Sequence, residues 1–102
     1  MKPDIDPVLF AAKAARVAAL LKVMGNPKRL TILCLLVEHG EMRVGDLAEM
    51  VSLSQSALSQ HLAVFRMDGL VAFRRERQAI WYRIADPRLE ALLTALYNLY
   101  CR

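Results

Sequence analysis

Cys34 and Cys101 carry the most reactive side chains of this 102-residue chain. Thiolates react with oxidants and sulfur donors, and two thiols within reach of each other can be joined. Two cysteines are too few for the disulfide framework of a small secreted domain, and the cytosol keeps thiols reduced. A bond between Cys34 and Cys101 would therefore be conditional, which makes the pair a candidate switch.

The two cysteines have very different neighbours in the sequence. Cys34 lies in the apolar stretch ILCLL, where a cysteine is ordinarily a small buried hydrophobe. Cys101 is the penultimate residue, where packing demands little and exposure to a small electrophile is expected. Taken alone, Cys34 would be assigned to the core and Cys101 to the surface.

The segment 52–65, SLSQSALSQHLAVF, has no Lys, Arg, Asp or Glu, although 24% of the chain is charged. On an α-helix, its residues Leu58, His61, Leu62 and Phe65 share one face. The opposite face carries Ser56, Ser59, Gln60 and Ala63. Base edges in the major groove of DNA are read by such short polar and small apolar groups, whereas phosphates attract lysine and arginine. The pattern predicts a DNA-reading helix, and the alternative is a polar face that merely meets water.

Positive charge follows directly after this uncharged segment. Residues 54–84 hold five arginines against two carboxylates, which gives +3 of the net charge of +4. These arginines are Arg66, Arg74, Arg75, Arg77 and Arg83. We therefore expect phosphate-binding side chains beside the base-reading ones.

The composition predicts one small domain spanning residues 1–102, because a chain of this length with 56% hydrophobic residues can bury only one compact core. No stretch reaches the ~18 consecutive apolar residues of a membrane span, and the start MKPDIDP does not resemble a signal peptide. We expect a cytoplasmic protein without membrane contact. The chain lacks a glycine-rich phosphate loop and the residues of a catalytic cleft, so neither an enzyme nor a cofactor is expected.

Five helices must position these side chains. Asp6-Pro7, Asn26-Pro27 and Asp86-Pro87 each place a capping side chain before a proline, which predicts helices from 7 to about 24, 27 to about 37 and 87 to about 100. Two shorter helices, from about 44 to 51 and 55 to 67, flank the turn SLS and predict a helix-turn-helix. Ser54 is the expected N-cap of the second, with Ser52 and Gln55 as a competing capping box.

After Asp68-Gly69 the apolar period changes to two, which predicts a β-hairpin over 71–84 with RRERQ at its bend. The last helix places Leu89, Leu92, Leu93, Leu96 and Tyr100 on one stripe. Together with the alanine-rich first helix, it offers more apolar surface than so short a chain needs internally. The expected fold is mostly α with a hairpin between the fourth and fifth helices, forming a homodimer through the first and last helices.

The blocks MGNPKRLTILCLL, VGDLAEMVSLSQSALSQHLAVFRMDGLV and RQAIWYRI closely resemble those of the ArsR/SmtB family of winged-helix transcriptional repressors. The resemblance implies a homodimer that binds double-stranded DNA at an imperfect palindromic operator. The candidate DNA-binding residues are Ser54, Gln55, Ser56, Ser59, Gln60, His61 and Arg66 in the recognition helix, with Arg74, Arg75, Arg77 and Gln78 in the wing. Arg43 departs from the family pattern, which often has a capping Ser or Thr there, and puts the start of the third helix in doubt.

Members of this family often sense metals, but the known ligands are missing here. The segment RVGDL lacks the cysteine pair of metal-sensing members, and the last helix offers Glu90 but no histidine. His39, beside a helix-ending glycine, and His61 are interpreted as structural or DNA-facing residues. No metal site is therefore predicted.

The sequences ILC and LYC resemble the branch of the family that responds to sulfide-derived persulfides. In that branch the two cysteines, matching Cys34 and Cys101, are bridged by added sulfur atoms or by a disulfide, and DNA affinity falls. The resemblance implies a repressor released by reactive sulfur species or oxidants through redox-sensing Cys34 and Cys101. The alternatives are a repressor that senses a metal ion or another oxidant, and a non-catalytic winged-helix interaction module.

Overall fold

A computed structural model describes residues 4–101, so the first three residues of MKPDIDP and Arg102 lie outside the described part. The elements are α1 (Pro7–Met24), α2 (Pro27–His39), β1 (Met42–Arg43), α3 (Val44–Met50), α4 (Gln55–Met67), β2 (Val71–Glu76), β3 (Ala79–Ile84) and α5 (Pro87–Tyr100). The strands form an antiparallel sheet in the order β1-β3-β2. The predicted winged helix-turn-helix is confirmed. No helix of the described part is long and apolar enough to cross a membrane.

Capping side chains begin the helices as the sequence predicts. Asp6, Asn26 and Asp86 each accept a hydrogen bond of 2.9 Å from the backbone N–H two residues later, before a proline that has no N–H to lose. Ser54 caps α4 by accepting from the N–H of Ala57 at 3.0 Å. Ser52 instead has a φ of 56°, so the competing capping box is wrong and this serine forms the turn.

The helix α2 lies at the centre of the core. Ile32, Leu33 and Leu36 are fully buried, and the helix packs against α1, α5 and β3. This burial on most sides agrees with the nearly unbroken apolar stretch LTILCLLV. The helix ends at His39, two residues later than expected, before Gly40 with a φ of 78°.

The sheet differs from the prediction in two respects. The two-residue strand β1 pairs with Tyr82 and Trp81 of β3, and a segment this short has no sequence pattern of its own. The bend of the hairpin consists of Arg77 and Gln78 only, because Glu76 pairs with Ala79. The placement of Arg74, Arg75 and Glu76 in the bend was therefore wrong: they are the last residues of β2.

Arg43 stands at the N-cap of α3 without capping it through its side chain. The helix nevertheless begins at Val44 as expected. Arg43 Nε donates to Asp46 Oδ2 at 3.2 Å, and the Asp46 carboxylate lies in the first turn, where it interacts favourably with the helix dipole. An exposed ion pair therefore occupies the place of the usual capping hydroxyl.

The stripe on α5 is divided between the core and the surface. Leu89 and Leu93 are fully buried in the protomer itself, whereas Tyr100 is 80% exposed, so the assignment of the whole stripe to surplus surface was wrong. The helix α1 has 18 residues but buries only Met24. The exposed large apolar residues of α1 and α5 are Val8, Leu9, Phe10, Val17, Leu21, Tyr97, Leu99 and Tyr100.

Replacing Leu93 with alanine should lower the free energy of unfolding by about 2 to 5 kcal/mol, because the side chain is fully buried and the core closes only partly around the cavity. Met67→Ala is the matched control, since Met67 is 87% exposed at the end of α4, and it should change stability by less than about 0.5 kcal/mol. Urea unfolding of both variants at equal protein concentration measures the difference. Equal losses would contradict the placement of Leu93 in the core.

Candidate nucleic-acid interface and thiol pair

The polar face of α4, formed by Gln55, Ser56, Ser59 and Gln60, is exposed to solvent. Leu58, Leu62 and Phe65 on the other side are buried, so packing fixes which face points outward. Within residues 4–101, no hydrogen bond engages the four polar side chains of this face. Their donors and acceptors are therefore available to a ligand such as a base edge.

A cleft joins α4 to the hairpin and to the start of α3. Gln55 and Ser59 line it from α4, Gln78 from the bend, and Arg43 from the N-cap of α3. Gly45 faces the Gln55 amide, which a Cβ at that position would approach to 3.8 Å. Three of the predicted DNA-binding residues thus converge on one surface, and Arg43 joins them without having been predicted.

Arg74 is held by two carboxylates. Its guanidinium donates to both oxygens of Glu41 at 2.9 and 2.6 Å and to Glu76 at 2.5 Å, and it lies 5.3 Å from the centre of the Trp81 ring. The hydrogen bond from Arg74 lowers the pKa of Glu41. Arg74 thereby ties β2 to the segment between α2 and β1, and its charge is already compensated.

Arg66 also has partners within the protomer. It donates to the Tyr82 hydroxyl at 3.0 Å and lies over the Phe73 ring at 5.4 Å. These contacts join the end of α4 to the sheet. Arg66 therefore sets the angle between the helix and the hairpin, in addition to the positive charge that it contributes.

Arg75 and Arg77 form no ion pair with any residue that the structure describes, and both are exposed. Arg77 has a φ of 58° at the hairpin bend, a left-handed conformation that favours glycine and costs an L-residue about 1 kcal/mol. A non-glycine residue in such a conformation is often retained for its side chain. Arg83 of β3 is likewise exposed and forms no ion pair with a described residue, so three arginines of the hairpin have charge that is free for phosphate.

His61 lies half-buried beside α2. Arg29 Nε donates to His61 Nδ1 at 3.3 Å, and the pKa of His61 is lowered by its burial and, secondarily, by the charge of Arg29. The neutral imidazole is thus the favoured form. His61 contacts α2 through one ring nitrogen, which the sequence pattern did not indicate.

The two thiols are free and lie on packed elements. Cys34 is half-buried on α2, whereas Cys101 is exposed at the C-cap of α5, and α2 packs against α5. Burial raises the pKa of Cys34, and a charge on Cys101 raises it further. The packing of α2 against α5 thus brings together the two elements that carry the thiols.

Metal ligands are scattered across the described residues. No group of three or more His, Cys, Asp or Glu side chains comes together anywhere in residues 4–101. His39 ends α2, and Glu90 lies exposed in the first turn of α5. Neither residue forms part of a ligand cluster within the described part of the chain.

Comparison with known proteins decides the family. Residues 26–72 match the model described as "Bacterial regulatory protein, arsR family". The chain is 46% identical over 89 residues to the transcriptional activator HlyU of Vibrio cholerae, an alignment that covers 87% of this chain and 82% of that protein. The chain belongs to the ArsR family. It is therefore a DNA-binding transcriptional regulator and not an enzyme.

Two solved structures have the same fold. Reduced HlyU from Vibrio cholerae superposes with a TM-score of 0.86 at 44% identity, covering 91% of this chain and 97% of that chain. The transcriptional repressor BigR from Xylella fastidiosa superposes with a TM-score of 0.85 at 38% identity, covering 96% and 99%. Both likenesses cover more than nine tenths of this ArsR-family chain.

Sequence reasoning missed several residues that hold the interface in place. Glu41 and Arg29 act through contacts with residues 33 and 32 positions away in the sequence, and no local period marks such pairs. One signal was available: Lys28 and Arg29 place two cations in the first turn of α2, where the helix dipole disfavours positive charge. Cations in such a position indicate partners elsewhere in the fold.

Arg77→Gly and Arg74→Ala should change the stability of the protein in opposite directions. Glycine relieves the left-handed backbone at position 77 and should raise stability by up to about 1 kcal/mol. It should also make the negative slope of log affinity for DNA against log salt shallower by about 0.9, because one phosphate contact is lost. Arg74→Ala removes the same unit of charge but should lower stability and leave the slope nearly unchanged.

Fluorescence anisotropy with duplex DNA at several salt concentrations measures the slopes, and thermal unfolding measures the stabilities. If Arg74→Ala makes the salt dependence of DNA binding as much shallower as Arg77→Gly does, the distinction between a compensated and a free arginine is wrong.

Proposed function

We propose that the chain is a homodimeric repressor that binds an imperfect palindromic operator and is released when Cys34 and Cys101 become bridged by a disulfide or by added sulfur. The observation that carries the proposal is the packing of α2, which bears half-buried Cys34, against α5, at whose end Cys101 lies exposed. The inducer is a reactive sulfur species or an oxidant. No cofactor takes part.

The roles at DNA follow the chemistry of each side chain. Four polar side chains of α4 have no hydrogen-bond partner within residues 4–101 and are assigned to base edges. They are Gln55, Ser56, Ser59 and Gln60. Arg75 and Arg77 are assigned to phosphates, and Gln78 to the adjoining cleft. Ser54 caps α4, while Arg66 and Arg74 position the wing, so these three act on DNA mainly through the interface that they hold together.

Dimerisation is supported by the exposed apolar surface of α1 and α5. Most helical stability in proteins comes from tertiary packing, and α1 buries only Met24 of its 18 residues within the protomer. Leu99 and Tyr100 add a second exposed apolar patch at the end of α5, 74% and 80% exposed. A second copy of the chain covers both surfaces, and a two-fold dimer presents two copies of α4 to two half-sites.

Leu9→Glu combined with Leu99→Glu should convert the dimer to monomers, because each change would bury an unpaired charge in the proposed interface. Met67→Glu is the matched control, since Met67 is also apolar and exposed but lies outside α1 and α5, and it should leave the dimer intact. Size-exclusion chromatography with light scattering measures the mass. A wild-type monomer at micromolar concentration would remove the basis for palindromic recognition. Leu93→Glu is unsuitable, because it would unfold the protomer core.

The order of reaction follows from the burial of the two thiols. Cys101 is exposed and meets a persulfide RSSH first: its thiolate attacks the outer sulfur, RSH leaves, and Cys101 carries a persulfide. The Cys34 thiolate then attacks Sγ of Cys101 itself, the bond from Sγ to the outer sulfur breaks, and the outer sulfur leaves as HS⁻. The two cysteine sulfurs are oxidised to a disulfide, and the transferred sulfur is reduced to sulfide. If Cys101 has first gained two sulfurs, attack of Cys34 on the middle sulfur releases the terminal sulfur as HS⁻ and leaves one added sulfur in the bridge.

Treatment with a persulfide donor should join Cys34 to Cys101 within one chain and release DNA. Intact mass spectrometry and peptide mapping should show a bridged peptide pair, with or without added sulfur atoms. Cys34→Ser should accumulate a persulfide on Cys101, whereas Cys101→Ser should react more slowly because Cys34 is partly buried. Since the pKa of Cys34 is raised, the thiolate fraction is small near neutrality, and bridge closure should accelerate as pH rises towards that pKa.

Both single variants should bind DNA and fail to respond to the donor. Zinc serves as the control for the metal-sensing alternative and should not release DNA from reduced protein, since no ligand cluster is present in residues 4–101. The dithiol mechanism fails if either variant is released as the wild type is. Release by a metal ion with both thiols reduced would favour the metal-sensing alternative instead.

A further inference from the structure

Two cations stand in the first turn of α2, where no acidic residue accompanies them. Lys28 and Arg29 follow the Asn26 cap, close to the positive end of the helix dipole. Cations at this end destabilise a helix unless they have partners. Both side chains reach across to the helix-turn-helix.

Lys28 contacts the turn that precedes α4. Its Nζ donates to the Val51 carbonyl oxygen at 2.5 Å. Val51 is the C-cap of α3, where carbonyl groups lack partners within the helix. Lys28 therefore stabilises the end of α3 and ties it to α2.

Arg29 contacts the middle of α4. A guanidinium can only donate hydrogen bonds, so the His61 Nδ1 that accepts from Arg29 Nε must carry a lone pair. In the neutral ring the proton then lies on Nε2. Arg29 thus selects one of the two tautomers of His61.

The second ring nitrogen faces outward. Every buried side-chain nitrogen or oxygen of the described residues has a hydrogen-bond partner, and within those residues Nε2 of His61 has none. Since His61 is not exposed as a whole, its Nε2 must be an atom that solvent reaches. Its N–H is consequently a donor of α4 that solvent can reach.

We propose that Arg29 is a positioning residue that makes His61 a hydrogen-bond donor towards an acceptor on DNA, either a purine N7 or guanine O6 or a phosphate oxygen. This inference rests on the proposed DNA-binding function. It assigns a specificity role to an arginine of α2 that lies outside the recognition helix. Without Arg29, the His61 ring is free to present Nε2 as an acceptor, and the same position then recognises a different partner.

The charges around His61 support the neutral form. Within the described residues, the charge that acts on its ring is that of Arg29 from α2, and it lowers the pKa together with burial. Lys28 from the same turn is engaged with Val51. Protonation of His61 removes the lone pair that accepts from Arg29 and places two cations together, so acid should break the contact.

Nitrogen-15 NMR of the free protein tests the tautomer without DNA. Wild-type His61 should show the Nε2–H tautomer. Arg29→Met should shift the population towards Nδ1–H and raise the pKa of His61, because it removes the donor and the nearby charge. Lys28→Met is the matched control and should change neither, and the resonances of His39 serve as an internal reference. A wild-type Nδ1–H tautomer, or a population unaffected by Arg29→Met, overturns the proposal.

DNA binding provides the second readout, with duplexes selected by the wild-type protein. Arg29→Met should weaken binding about threefold to tenfold near neutral pH, the effect of one hydrogen bond. The loss should shrink on acidification, because a protonated His61 beside methionine donates again. The loss in Lys28→Met should be independent of pH. Equal pH profiles for the two variants overturn the proposal.

The same duplexes separate the two acceptors on DNA. A loss confined to selected sequences identifies a base edge, and an equal loss on random DNA identifies a phosphate. If the wild type selects no sequence, the proposed function fails, and the NMR measurement still decides whether Arg29 controls the tautomer of His61.

Discussion

The burial of α2 is the constraint on which the remaining structure depends. Ile32, Leu33 and Leu36 have no exposed surface, and burial of each such side chain contributes about 1.5 to 3 kcal/mol. Elements from both ends of the chain pack against this helix, namely α1, α5 and β3. Because protein interiors are close-packed, α2 cannot shift without moving its neighbours.

The arginines of residues 54–84 divide into those with partners inside the protomer and those without. The net charge of the segment 54–84 suggests five equivalent phosphate anchors, but Arg74 is compensated by Glu41 and Glu76, and Arg66 is bound to Tyr82. Arg75, Arg77 and Arg83 form no ion pair with a described residue and are exposed, and Arg77 at the bend has a left-handed backbone conformation. The polar face of α4 carries no charge at all. Affinity and base selectivity are therefore assigned to different surfaces of one small fold.

Local patterns in the sequence predicted most of the fold. Caps before prolines identified three helices, and the period of apolar residues identified α4 and the hairpin, because these signals act over a few neighbouring residues. The strand β1 and the Glu41–Arg74 ion pair escaped prediction, because they depend on the register of β3 and β2 with a distant segment. The exposure of Ser56, Ser59 and Gln60 was correctly predicted, although Ala63 of the same predicted face is half-buried. The free or compensated state of each arginine required the positions of its neighbours.

The same helix carries a thiol of the proposed switch and the contacts to the recognition helix. Cys34 follows Arg29 by five residues, about 7.5 Å along the axis of α2. A bridge to Cys101 joins α2 to the end of α5 and favours whichever arrangement brings the two sulfurs together. The contacts of Lys28 with Val51 and of Arg29 with His61 have narrow geometric requirements. A rotation or slide of α2 by a fraction of a turn would break them. On the proposed mechanism, bridging therefore weakens DNA binding by withdrawing the support of α4, even though neither cysteine lies on the DNA-facing surface.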